Sequence, residues 1–128
     1  MTKTRRKKRI SRMMKKRRLR EEFLKEAERE GRKLGFKTAE EYILWKALRE
    51  EGVEADHNVR VCGVEVDFYI KPNLIVEVGF LDNNLRKAWE MLEEKGYRVL
   101  YFANIEIRNG VLSRDTAKKI KKVLEEEA

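Results

Sequence analysis

Two acids are conspicuous for where they fall. In the stretch VEVDFYIKPNLIVEVGF, residues 64–80, Asp67 and Glu77 interrupt two apolar runs, each with the alternation of a β-strand. Val64, Val66, Phe68 and Ile70 define one face of the first run, with Glu65, Asp67 and Tyr69 on the other; in the second, Leu74, Val76, Val78 and Phe80 oppose Ile75, Glu77 and Gly79. The connection is Lys71-Pro72-Asn73. A three-residue loop that pairs Ile70 with Leu74 brings Asp67 directly opposite Glu77, and a slip of one residue would set each acid against an apolar side chain. Side by side, with Cβ atoms about 5 Å apart, two carboxylates repel and call for a compensating cation or for water. The plainer alternative is an exposed sheet face on which both are solvated, or bridged to Arg60 or Lys71.

The elements that must position this pair are legible on either side. TAEEYILWKALREEG reads as a helix with Thr38 as N-cap, Glu41 completing a capping box, Tyr42, Leu44, Trp45 and Leu48 facing inward, and Gly52 as the stop. NVRV and a Cys62-Gly63 turn lead into the hairpin. Beyond it, DNNLRKAWEMLEEKGY predicts a helix starting near Asp82, with Leu85, Ala88, Trp89 and Leu92 inward and Gly96 at its end. RVLYF is a strand, and SRDTAKKIKKVLEEE a closing helix capped by Ser113 or Asp115. Antiparallel strands followed by helix, strand and helix predict an α/β fold whose last strand joins the sheet in parallel. Trp45 and Trp89, on inward stripes, read as core.

Composition bounds the chemistry. The 128 residues make one domain of ordinary size, and 42% of them are charged, far above the usual quarter. With no Gln, two Ser and abundant Lys, Arg and Glu, the usage fits a thermophile. One cysteine, Cys62, and one histidine, His57, exclude an internal disulfide, a Cys-rich zinc site, a His-based metal cage and a His-dependent triad. His57 reads as a surface or satisfied residue. No uncharged run approaches a membrane span, and no apolar stretch follows the basic start as a signal peptide requires, so a soluble cytoplasmic protein is expected.

Net charge is +8, and its distribution says more than its sum. Residues 1–20, MTKTRRKKRISRMMKKRRLR, hold twelve Lys and Arg and no acid; the remainder carries nineteen basic against twenty-three acidic residues, a net of −4. Arg5, Arg6, Lys7, Lys8, Arg9, Arg12, Lys15, Lys16, Arg17 and Arg18 are therefore the candidate nucleic-acid contacts, since each phosphate they neutralise releases counterions. A solvated tail or a polybasic segment meeting anionic lipid is the competing reading. Residues from Ile10 suit a discontinuous helical stripe, so the arm runs into a helix ending near Gly31. The expected organisation is a basic arm and helix over 1–31 and an α/β domain over 32–128.

From about Thr38 to Leu124, the order of TAEEYILWKALR, VEVDFYI, LIVEVGF and LRKAWEMLEEKGYRVLYFAN resembles the PD-(D/E)XK, or restriction-endonuclease-like, nuclease superfamily. The small relatives of very-short-patch repair endonucleases are the nearest in pattern. The resemblance implies a mixed β-sheet flanked by helices, and hydrolysis of a DNA phosphodiester with Mg²⁺ or Mn²⁺. It makes Asp67 the motif aspartate, Glu77 the acid of the second half-motif and Glu41 the acid supplied from the preceding helix. Asp67, Glu77 and the backbone carbonyl of Val78 are then the metal ligands, a hard-oxygen set suited to Mg²⁺. Glu41 would hold a second ion or orient a metal-bound water, although its place in the capping box explains it without catalysis.

The sequence departs from that pattern at one position. The motif lysine belongs two residues after Glu77, where this chain has Gly79. Lys87 is the candidate for a migrated cation, with Arg86 and Lys71 as alternatives. Asn58 falls where relatives carry Gln, placed to touch water or phosphate. Two function classes follow: a metal-dependent DNA endonuclease acting on mismatched, branched or nicked DNA, and a non-catalytic nucleic-acid-binding protein that retains the nuclease fold. RNA is a further compatible partner, a membrane is not expected, and the sequence is compatible with a homodimer.

Overall fold

Thr38 supplies what the start of a helix lacks: its hydroxyl accepts the Glu41 N–H at 3.2 Å, and α2 runs from there as Ala39–Glu50. The computed structural model describes residues 2–79 and 82–127, with side chains of 2–8, 10 and 127 outside the description. In α2 the buried stripe is Ile43, Leu44, Ala47 and Leu48. Tyr42 and Trp45, expected inside, sit instead at its rim, where they meet the ring of Phe36 and the Arg49 guanidinium lies 4.8 Å over Trp45. The aromatic edges stay partly wet because their polar atoms and the cation belong at the surface.

The basic arm and the following helix are one element. Helix α1 spans Thr2–Lys33, about 48 Å of continuous helix. Residues 11–22 are exposed, and α1 joins the body only from Leu24 and Ala27 onward. Gly31 lets it do so: a Cβ there would lie 2.8 Å from the Cβ of Tyr42, so the missing side chain permits the close crossing of α1 on α2.

Four strands form one mixed sheet in the order β1 (Asp56–Val61), β2 (Val64–Ile70), β3 (Leu74–Val78) and β4 (Arg98–Phe102). The first two pairings are antiparallel and the third is parallel. Cys62 and Gly63, at φ +51° and +83°, make the two-residue turn between β1 and β2, with both central residues left-handed as a twisted hairpin prefers. The second hairpin has the register expected from the alternation, with Ile70 opposite Leu74, Tyr69 opposite Ile75 and Phe68 opposite Val76. The parallel strand requires a crossover, supplied by α3 (Asn83–Glu94), which begins where the Asp82 carboxylate accepts the Leu85 N–H at 2.8 Å.

After β4 come a short α4 (Asn104–Ile107) and α5 (Gly110–Glu127). The closing helix starts earlier than Ser113 or Asp115 because Asn109 accepts the Leu112 N–H at 2.7 Å; Asn is as good a cap as Ser or Asp, and Ser113 is left buried inside the helix. Phe36, Leu44, Leu48, Phe68, Leu74, Val76, Ile107 and Ile120 fill the core between the sheet and α1, α2, α4 and α5. Val61, Val66, Ile75 and Leu92 fill the other face, under α3. Val66 was expected to share a face with Phe68, yet the two belong to different clusters. The inside of β2 therefore changes between them, at Asp67. Phe80 lies outside the described residues. Among the described residues no helix is long and apolar enough to cross a membrane.

Candidate active site

Strands β2 and β3 pair as far as Phe68 and Val76 and then part: β2 continues beside β1, and β3 beside β4. Asp67 and Glu77 are the next residues on the two strands, so they stand in the fork. Each carboxylate takes a backbone donor from across it. The Asp67 N–H donates to Glu77 Oε1 at 3.2 Å, and the Val78 N–H donates to Asp67 Oδ2 at 2.9 Å. Side chains thus satisfy amides that the separating ladder leaves without a strand partner.

The fork is largely buried and crowded with acids. Glu77 is 6% exposed, and burial, the neighbouring Asp67 charge and a hydrogen bond between the two carboxyls push its pKa up to about 8. Burial also raises Asp67, against the opposing pull of the Val78 N–H, Glu77 and the Lys37 ammonium. Glu41, in the first turn of α2 and 5% exposed, is pushed up to about 7 by burial first and the Asp67 charge second. Its Oε2 is buried with no hydrogen-bond partner among the described residues.

A second orphan faces the same strand. Asn58, at φ +51°, falls between the pairs His57–Phe68 and Val59–Val66, opposite Asp67. Its Nδ2 donates to the Gly35 carbonyl at 3.0 Å, while its Oδ1 is buried and unpartnered. His57 beside it stacks on Phe36 with ring centroids 4.0 Å apart, a packing role.

Three carboxylates held above their ordinary pKa, with two orphaned acceptor oxygens, make a site short of positive charge and of donors. That donor set fits a hard divalent cation, which takes one or two carboxylates and completes its shell with water. Among the described residues no three His, Cys, Asp or Glu side chains gather closely enough to enclose a metal by themselves. Water and substrate oxygens would therefore have to supply the remaining positions.

Gly79 follows at φ +129°, a conformation that disfavours any side chain. Its N–H donates to Phe102 O at 3.1 Å, and the Tyr101 hydroxyl donates to its carbonyl. A bend fixed by hydrogen bonds on both sides explains physically why no lysine stands there. Lys87 and Arg86 are exposed on α3, with no side-chain hydrogen bond or ion pair among the described residues, and Lys71 is exposed in the hairpin loop. Arg9, Arg12, Lys15, Lys16, Arg17 and Arg18 are exposed along α1, whereas the side chains of Arg5, Arg6, Lys7 and Lys8 lie outside the described residues.

Sequence reasoning passed over Lys37. Its Nζ lies 2.6 Å from Glu65 Oε1 on β2, and its charge also acts on Glu41 and Asp67. Its position before the N-cap of α2 was the available signal. The approach to β2 is a long-range contact that no local pattern encodes. The groove between α1, α2 and α5, lined in part by Glu26, Glu30, Lys46 and Arg114, contains neither acid of the pair.

No protein-family model matches the chain, and no curated protein matches it. Among solved structures it is similar to the catalytic domain of homing endonuclease I-Bth0305I, with a TM-score of 0.52 and 24% identity over 67% of this chain and 89% of that one. The likeness establishes the fold: a mixed four-stranded sheet flanked by helices, of a nuclease-like α/β kind.

Proposed function

We propose that the chain is a metal-dependent DNA endonuclease, with Asp67 and Glu77 as the ligands of a Mg²⁺ or Mn²⁺ ion and the Val78 carbonyl as a further oxygen. The observation that carries this reading is the acid pair in the fork of the sheet, Glu77 buried and Asp67 half-buried, which is electrostatically unfavourable unless a cation joins it. The similar fold of a homing endonuclease catalytic domain supports it. When bound, the cation would stabilise charge on the scissile phosphate and acidify the attacking water. Glu41, with a pKa near neutrality, is suited to orient that water and accept its proton. The exposed basic face of α1 would hold the flanking backbone, which makes DNA the expected partner. Lys87 stays a candidate cation on α3.

Gly79 favours a second reading, that of a nucleic-acid-binding protein with this fold and no catalysis, because the bend there leaves the usual lysine position without a side chain. Incubating supercoiled plasmid with the protein and Mg²⁺ or Mn²⁺ separates the two. Nicking that Asp67→Asn abolishes supports the first reading; binding without nicking supports the second.

A further inference from the structure

The site has one conspicuous deficit, a positive group beside the paired acids, and one side chain is placed to supply it. We propose that Lys37 contacts the substrate phosphate addressed by Asp67 and Glu77, taking the role for which position 79 has no side chain. This rests on the nuclease reading above.

Lys37 is held in place by its neighbours and is itself free to reach. On one side Phe36 is 3% exposed and stacked on His57 of β1, and the Gly35 carbonyl is tied to Asn58 opposite Asp67. On the other, Thr38 caps α2. A short loop anchored to β1 and to the cap of α2 therefore fixes the backbone of Lys37, while its side chain reaches Glu65 on β2 and remains 61% exposed. Its present partner is Glu65, two residues before Asp67 on the same strand, and the Lys37 charge acts on Asp67 and Glu41 as well. An exposed lysine–glutamate pair contributes little to stability, so exchanging Glu65 for a phosphate oxygen costs little. A lysine also suits the role chemically, as a mobile point charge with three donors. The alternatives are less well placed. Lys71 lies in the hairpin loop, past the end of β2, and Lys87 and Arg86 make no contact that aims them at the acids.

The test begins with a measurement that needs no turnover. Reductive methylation of the full chain, with and without a DNA duplex in Ca²⁺, reads the accessibility of each lysine by mass spectrometry. Lys37 is expected to be protected at least about threefold, while the exposed Lys118 on α5 is labelled equally in both. Cleavage in Mn²⁺ by Lys37→Ala should then fall by about ten- to a thousandfold, the scale of removing one electrostatic interaction with a transition state, with Lys37→Arg recovering part of it. The exposed position keeps both variants folded, as a melting curve will show. Equal labelling of Lys37 with and without DNA, or parental cleavage by Lys37→Ala, overturns the proposal. Should the parent itself not cleave, the nuclease reading falls, and the labelling alone decides whether Lys37 meets phosphate.

Discussion

At the scale of single residues, the acids of the fork are unfavourable to the fold on their own, and that cost is measurable. Glu77 keeps its proton to about pH 8 against 4.5 for a free glutamate, so the folded chain binds more protons than the unfolded chain between those values. Stability without metal therefore falls as pH rises through that window. The parent in EDTA should melt about 3–10 °C lower at pH 8 than at pH 5, consistent with a loss of about 1–3 kcal/mol in a domain of this size. Glu77→Gln should keep only the smaller part due to Glu41, pushed up to about 7, and to Asp67, raised by burial. A parent whose melting temperature is flat over this range would remove the electrostatic basis of the site. Mn²⁺ should restore more stability at pH 8 than at pH 6, because it competes with protons for the same oxygens. Gly79 makes a different prediction. At φ +129° an Ala or Lys is strained, so Gly79→Lys should lose about 1–3 kcal/mol and gain no activity, whereas parental stability would show that the bend does not require glycine.

At the scale of elements, the parts set by local chemistry were readable and the parts set by distant contacts were not. Thr38, Asp82 and the Cys62-Gly63 turn announce themselves, and the alternation around Asp67 and Glu77 permits one register only, which is the one observed. The start of α5 was misplaced because Ser113 and Asp115 compete as caps with Asn109, and only packing decides among them. The exchange of faces between Val66 and Phe68 was hidden because periodicity assumes a straight strand, while β2 leaves β3 at this point. Lys37 escaped for the same reason: its partner is 28 residues away. The joint between α1 and the body gives a prediction at this scale. Gly31→Ala places a methyl 2.8 Å from Tyr42 Cβ, so α1 must shift, at about 1–3 kcal/mol of stability measured by chemical denaturation. An unchanged midpoint would mean that α1 is not seated on α2 as described.

At the scale of the whole molecule, a body of net charge −4 carries a helix whose first twenty residues hold twelve cations. The two are physically separable, because packing against the core begins at Leu24. Removing residues 1–20 should leave the melting temperature of the body within about 3 °C. It should also flatten the salt dependence of DNA binding by about 0.9 in log–log slope for each phosphate no longer neutralised. An unchanged slope would assign the helix to another partner. The proposed division of labour is a basic helix for grip and an acidic fork for chemistry, joined through the loop that carries Lys37 and the cap of α2. Its central claim is that the fork hydrolyses DNA with a divalent cation. The most direct measurement is nicking of supercoiled plasmid in Mn²⁺ by the parent and by Asp67→Asn, purified identically. The predicted result is nicking by the parent that EDTA stops and a loss of at least about a thousandfold in the variant; equal nicking by the two proteins would contradict it.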